Sequence, residues 1–140
     1  MLPLAPAQPR LEALNRGIVA IHQPDGRVAV SWRLLGDDPE GVAFNLYRKA
    51  DPIPGARTFG RPPGEPVRLN REPLTQATFF VDDSANLAAR TSYFVRAIVK
   101  GIEQEPSPAF TLAAGAPPLP YLTVALQPPP GSQPNDASAA

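Results

Sequence analysis

The chain has 140 residues, its 13 basic and 13 acidic side chains cancel, and it contains no cysteine. A chain of this length can bury one modest core, so we expect a single domain with a tail. The balanced charge predicts no general attraction to nucleic acid or anionic lipid, and the absence of cysteine excludes disulfides and thiolate metal sites.

The N-terminal residues 1–10, MLPLAPAQPR, form a predicted extension before the first element. No signal peptide is visible there, because the basic start and the apolar stretch of about 7–15 residues are both missing. No apolar run in the chain approaches the roughly 18–20 residues of a membrane span, so we expect no membrane partner. Residues 11–16 are the one helix candidate, and they are too few to form a stable helix alone.

The first two predicted strands form a hairpin. Residues 17–23 and 27–34 flank Asp25–Gly26, a dipeptide that is typical of tight turns between antiparallel strands. The second strand alternates, and its apolar positions are expected to share one buried face. These positions are Val28, Val30, Trp32 and Leu34.

The same period of two continues along the chain. Residues 36–41, rich in Gly and Asp, reverse it into a strand over 42–48, in which Val42, Phe44 and Leu46 share a face. Further strands are predicted over 78–82, 91–100 and 109–113. About seven short strands separated by turns indicate an all-β fold, an antiparallel β-sandwich over residues 11–115.

Two aromatic residues make the expected sandwich fibronectin type III-like. Trp32 on an early strand is predicted to fill the space between the sheets, and the Tyr93 hydroxyl to bond a nearby backbone group. The alternative, Trp32 as an exposed sugar-stacking platform, is less favoured because its position alternates with core residues.

Two segments interrupt the pattern. Residues 51–66 contain five Pro and three Gly. They are expected to form a long surface loop, with a binding loop that presents Arg57, Phe59 and Arg61 as the less favoured alternative. Residues 116–140, rich in Pro, Ala and Ser, are predicted to be a linker.

No catalytic, cofactor-binding or metal-ligating residue is predicted in this chain. His22 is the single histidine, and we expect it at the rim of the first strand. The acidic groups Asp37, Asp38, Glu40 and Asp82, Asp83 lack the alternating layout of a calcium loop, so they are interpreted as turn residues.

An ordered set of motifs resembles the opening module of bacterial rhamnogalacturonan lyases built on an eight-bladed β-propeller. The motifs are NRGIVA (15–20), VAVSWRLLGDDP (28–39), FNLYR (44–48), VRLNREPLT (67–75), FVDD (80–83) and TSYFVRAIVKGIEQE (91–105). The resemblance implies that residues 121–126 are a connecting strand and that NDAS (135–138) leads toward the propeller, which this chain does not contain.

The resemblance implies a function in pectin degradation. The parent enzyme would cleave rhamnogalacturonan I by β-elimination, with calcium held in the propeller and none in this chain. We therefore expect a secreted or periplasmic, monomeric, non-catalytic module that supports the propeller. The alternatives are a carbohydrate-binding module, with Tyr47, Phe59 and Tyr121 as candidate sugar contacts, and a fibronectin type III-like interaction domain.

Overall fold

The structure, a computed structural model, describes residues 14–56 and 64–119. These residues form antiparallel strands and contain no helix that could cross a membrane. The strands are β1 (Val19–His22), β2 (Val28–Ser31), β3 (Ala43–Ala50), β4 (Val67–Arg68), β5 (Leu74–Thr75), β6 (Phe79–Asp82), β7 (Thr91–Val99), β8 (Ile102–Pro106) and β9 (Phe110–Leu112).

A three-stranded sheet has the order β1-β2-β6. The β1–β2 hairpin closes through a turn in which the Gly26 N–H donates to the Gln23 carbonyl at 3.0 Å. Gly26 has a φ of 83°, a conformation that a side chain would strain, so the predicted Asp-Gly turn is confirmed. Alternation along these strands buries Ala20, Val28 and Val30.

The second sheet has six strands and is centred on β3 and β7. These two strands are paired without interruption from Ala43 opposite Ile98 to Ala50 opposite Thr91. The short strands β4 and β5 also pair with β3, and β8 and β9 pair with β7. This sheet is therefore the framework on which the loops are held.

The core lies between the sheets. Trp32 contacts Phe44 edge to face, with ring centroids 5.7 Å apart. The largest fully buried residues of the core include Tyr93, Phe44, Leu46, Val28, Val30 and Val95. The predicted all-β antiparallel sandwich is confirmed, as is the shared face of Phe44 and Leu46.

Two details differ from the sequence-based expectation. Leu34 is 58% exposed, because β2 ends at Ser31 and a turn begins at Leu35, whose carbonyl accepts the Asp38 N–H. The described residues contain nine strands rather than about seven. The strands that were not predicted are β4, β5 and β8, which are short or rich in charged residues.

Candidate functional site

An ionic cluster joins the two sheets inside the sandwich. The Asp82 carboxylate, on β6 and 1% exposed, accepts hydrogen bonds from Arg48 Nη1 on β3 at 2.6 and 2.8 Å. The Tyr93 hydroxyl on β7 donates to Asp82 Oδ2 at 2.9 Å. The backbone N–H and hydroxyl of Ser84 donate to Oδ1. The carboxylate, which belongs to the three-stranded sheet, thus bonds two residues of the six-stranded sheet and one residue of the following turn.

These contacts set the protonation states of the cluster. Burial alone would raise the pKa of the Asp82 carboxyl, but the Arg48 guanidinium and the Ser84 and Tyr93 donors outweigh burial and lower it. The pKa of the Tyr93 hydroxyl is raised strongly, first by burial and then by the Asp82 charge. Asp82 is therefore ionised and Tyr93 neutral at ordinary pH, as a structural pair requires.

The prediction for Tyr93 was partly wrong. The residue lies in the core as expected, but its hydroxyl bonds a carboxylate rather than a backbone group. Two facts explain this: Asp82 is the last residue of β6 and shares the inner face with Val28, its cross-strand partner. A buried carboxylate at that position attracts the nearest donors, and Tyr93 is one of them.

Trp32 is not a sugar platform. It is 5% exposed and belongs to the core, as the alternation over residues 27–34 predicted. Its Nε1 atom is buried and has no hydrogen-bond partner among the described residues.

Tyr47, a candidate sugar contact, is held in a polar network on the outer face of the six-stranded sheet. Its ring stacks on its cross-strand partner Phe94, with centroids 5.3 Å apart and planes 7° apart. The Arg96 guanidinium lies 5.9 Å from the Tyr47 ring centroid. The Tyr47 hydroxyl donates to Glu103 Oε1 at 2.6 Å. Ring and hydroxyl are thus both occupied by neighbours.

The same Glu103 oxygen also accepts the Asn45 side-chain amide at 2.6 Å. Hydrogen bonds from Asn45 and Tyr47 lower the pKa of the Glu103 carboxyl. Burial, followed by the bond to Glu103, raises the pKa of the Tyr47 hydroxyl. The network favours a charged Glu103 and a neutral Tyr47, which fixes their orientation on the sheet.

Asn70 is a buried polar residue that the sequence analysis did not single out. It is 5% exposed, and its Oδ1 accepts the Leu46 N–H at 2.8 Å. Its Nδ2 donates to Asn45 Oδ1 and to the Glu72 carbonyl. The side chain therefore anchors the segment between β4 and β5 to β3.

His22 lies at the end of β1, as predicted. Its Nδ1 is 2.7 Å from the Ala116 carbonyl oxygen, and its own carbonyl accepts the Leu119 N–H at 2.9 Å. The first residues of the predicted linker thus contact the edge of the three-stranded sheet. The remaining candidates, Arg57, Phe59, Arg61 and Tyr121, lie outside the described residues.

The acidic turns are structural. Asp38 forms a two-bond ion pair with Arg16 and accepts the Leu35 N–H at 2.8 Å. The hydrogen bond from Arg16 lowers the pKa of this carboxyl. Asp83 is exposed, but Asp82 ends strand β6 and is buried, so its interpretation as a turn residue was wrong, although its carboxylate does accept the Ser84 N–H. Across residues 14–56 and 64–119, no three His, Asp or Glu side chains are grouped to hold a metal ion.

Comparison with known proteins identifies the family. Residues 9–58 match the family model described as "Rhamnogalacturonan I lyases beta-sheet domain". The chain is 37% identical over 122 residues to rhamnogalacturonan endolyase YesW of Bacillus subtilis (strain 168). The aligned region covers 87% of this chain and 16% of YesW. It is 35% identical over 102 residues to rhamnogalacturonan exolyase YesX of the same organism, covering 73% of this chain and 14% of YesX.

A solved structure agrees with the sequence matches. The crystal structure of exotype rhamnogalacturonan lyase YesX superposes with a TM-score of 0.50 at 34% identity, over 69% of this chain and 13% of that chain. This chain therefore spans about one sixth of the length of its curated relatives. The match to the family model, the two relatives and the shared fold together show that the chain carries the β-sheet domain of the rhamnogalacturonan I lyases.

Proposed function

We propose that the chain is a non-catalytic β-sandwich module of a rhamnogalacturonan I lyase and that it supports the catalytic portion of that enzyme. The observation that carries the proposal is that one endolyase and one exolyase both contain this module. They are 37% and 35% identical to this chain, respectively. Enzymes that differ in where they cut a polymer need different clefts. A part they share is better suited to a structural role than to setting the mode of cleavage.

The chemistry of the described residues supports the same role. β-Elimination at a uronate requires a base to remove the C5 proton and a cation to neutralise the carboxylate. The ionisable groups inside the sandwich are engaged with each other instead, since Arg48 and Tyr93 both donate to Asp82. Calcium does not fit the described residues, since Asp38 and Asp82 are already paired with arginines. We assign the calcium and the catalytic groups to the portion of the lyase that lies outside this module.

Direct sugar binding is the second candidate. It would require an aromatic ring face open to a sugar, and Tyr47 is stacked on Phe94 with its hydroxyl on Glu103. This arrangement favours the supporting role. From the family we infer further that the module is monomeric, acts outside the cytoplasm and has the catalytic propeller as its partner.

Two measurements on the isolated chain test the proposal. Incubation with rhamnogalacturonan I, with and without calcium, should give no absorbance from unsaturated uronate products, while YesW assayed in parallel gives a clear signal. Affinity electrophoresis in a gel containing rhamnogalacturonan I should leave the mobility of the chain unchanged. Calcium-dependent product formation would contradict the non-catalytic role, and retarded migration would favour the carbohydrate-binding alternative.

A further inference from the structure

The outer face of the three-stranded sheet is apolar. In an antiparallel sandwich the outward positions of a sheet ordinarily meet water and are polar. Here cross-strand pairing places Val19, Ser31 and Phe79 in one row and Ile21, Ala29 and Val81 in the next. Five of these six outward residues are therefore apolar. We name these six residues the outer patch.

The outer patch is separate from the core. None of its apolar residues belongs to the core cluster or to the partly buried residues packed against that cluster. Phe79 is 54% exposed, and Ser31 is also exposed. The outer face of the six-stranded sheet differs, since it carries the polar network of Asn45, Tyr47 and Glu103. Among the described residues, no comparable polar network lies on the outer patch.

A groove lies beside the start of β6. It has a volume of about 610 Å³ and includes Thr78, the residue before Phe79; its lining is mixed, with apolar residues such as Leu34 and Val42 and polar ones such as Glu40 and Gln76. Leu34 is 58% exposed there. Large exposed apolar residues grouped in this way mark interaction surfaces more often than scattered single residues do.

The path of the chain indicates what covers the patch. Leu119, the last described residue, bonds the carbonyl of His22, which ends the edge strand of this same sheet. The match covers 16% of YesW, so 84% of that protein lies outside it. A domain that follows Leu119 would start beside the outer patch, so a short connection suffices to bring the two together.

We propose that the outer patch, with the groove at its Phe79 end, is the surface on which the catalytic portion of the lyase docks. This inference rests on the proposed supporting function and adds the location of the contact. The patch supplies the apolar centre of the interface, and the exposed polar residues around it supply the rim. Phe79 is the main anchor because it is the largest and most exposed apolar side chain of the patch.

A chimera tests the location. The full 140-residue chain replaces the matched segment of YesW, and thermal unfolding is followed by calorimetry together with loss of lyase activity. Phe79→Lys disrupts the patch. Ile102→Lys is the matched control, because Ile102 is 67% exposed and lies on β8 of the other sheet. Both substitutions are first made in the isolated chain, where neither should move the midpoint of urea unfolding.

We expect the chimera to unfold in one cooperative thermal transition. Phe79→Lys should divide this transition into two, and Ile102→Lys should leave it unchanged. If the unsubstituted chimera unfolds in one transition and Phe79→Lys leaves that single transition intact, the docking surface lies elsewhere, and only the location is overturned. If the unsubstituted chimera already unfolds in two independent transitions, the supporting function and the location are both overturned. Dimerisation of the isolated chain that Phe79→Lys abolishes would make the patch a self-association surface and also overturn the inference.

Discussion

Removal of the Asp82 carboxylate should weaken the contact between the two sheets and lower the stability of the fold. The side chain is 1% exposed and joins Arg48 of β3 and Tyr93 of β7 to β6. Asp82→Ala deletes the acceptor but leaves the Arg48 guanidinium, 16% exposed, without its partner. It also leaves the buried Tyr93 hydroxyl without its acceptor. We expect the substitution to destabilise the fold without altering the surface.

The size of the effect follows from burial. Breaking a buried ion pair by removing one partner costs about 3–5 kcal/mol. The low end, about 3 kcal/mol, applies here because Arg48 is close enough to the surface to recruit water. Domains of this kind have a total stability of roughly 5–15 kcal/mol, so the loss should be a large part of the whole.

Urea unfolding followed by circular dichroism measures this loss. Asp83→Asn is the matched control, since Asp83 is adjacent and exposed, and its effect should stay within about 0.5 kcal/mol. An equally small effect of Asp82→Ala would refute the claim that the cluster holds the sheets together.

The pH dependence of stability provides a second readout for the cluster. The pKa of Asp82 is lowered from 3.8, so its contribution is present above that value and is lost as the pH falls through the folded-state pKa. The pKa of Tyr93 is raised from 10.0, so its contribution is present below 10.0 and is lost as the pH rises further. Asp82→Asn should remove much of the acid dependence, and unchanged acid unfolding would contradict the assignment.

Three further substitutions test other parts of the fold by the same unfolding measurement. Trp32→Ala should cost about 3–5 kcal/mol because the side chain fills the core, and native Trp32 fluorescence should be blue-shifted; an emission maximum typical of free indole would contradict burial. Asn70→Ala should cost about 1–3 kcal/mol, because the Leu46 N–H loses its buried acceptor, and a neutral result would show that water replaces the amide. Lys100→Asn should stabilise the β7–β8 hairpin by up to about 1 kcal/mol, since Lys100 has a φ of 51° that Asn adopts more readily; a loss of stability would show that the Lys100 side chain has another role.

The central strands could be predicted from sequence because each has one buried face. Val28, Val30 and Trp32 alternate with outward residues, and Tyr93, Val95 and Ala97 do the same on β7. A period of two is the direct consequence of that arrangement. The Asp-Gly turn was equally predictable, because its geometry depends on the two residues themselves.

The strands that were missed depend on tertiary contacts. β8 has the sequence IEQEP and is almost wholly exposed, so it shows no buried face that a pattern could reveal. β4 and β5 have two residues each and are held against β3 partly by Asn70, a residue whose role is visible only in three dimensions. The Arg48–Asp82–Tyr93 cluster was missed for the same reason, since its members lie 34 and 11 residues apart along the chain.

The supporting function is tested most directly by the thermal inactivation of three lyases: YesW, YesW without its matched segment, and YesW with this chain in that segment's place. If the module supports the catalytic portion, its deletion should shorten the half-life of lyase activity at elevated temperature. This chain should restore the half-life, and KM for rhamnogalacturonan I should stay the same in all three enzymes. An unchanged half-life after deletion, or a KM that rises on deletion and returns on replacement, would contradict a purely supporting role.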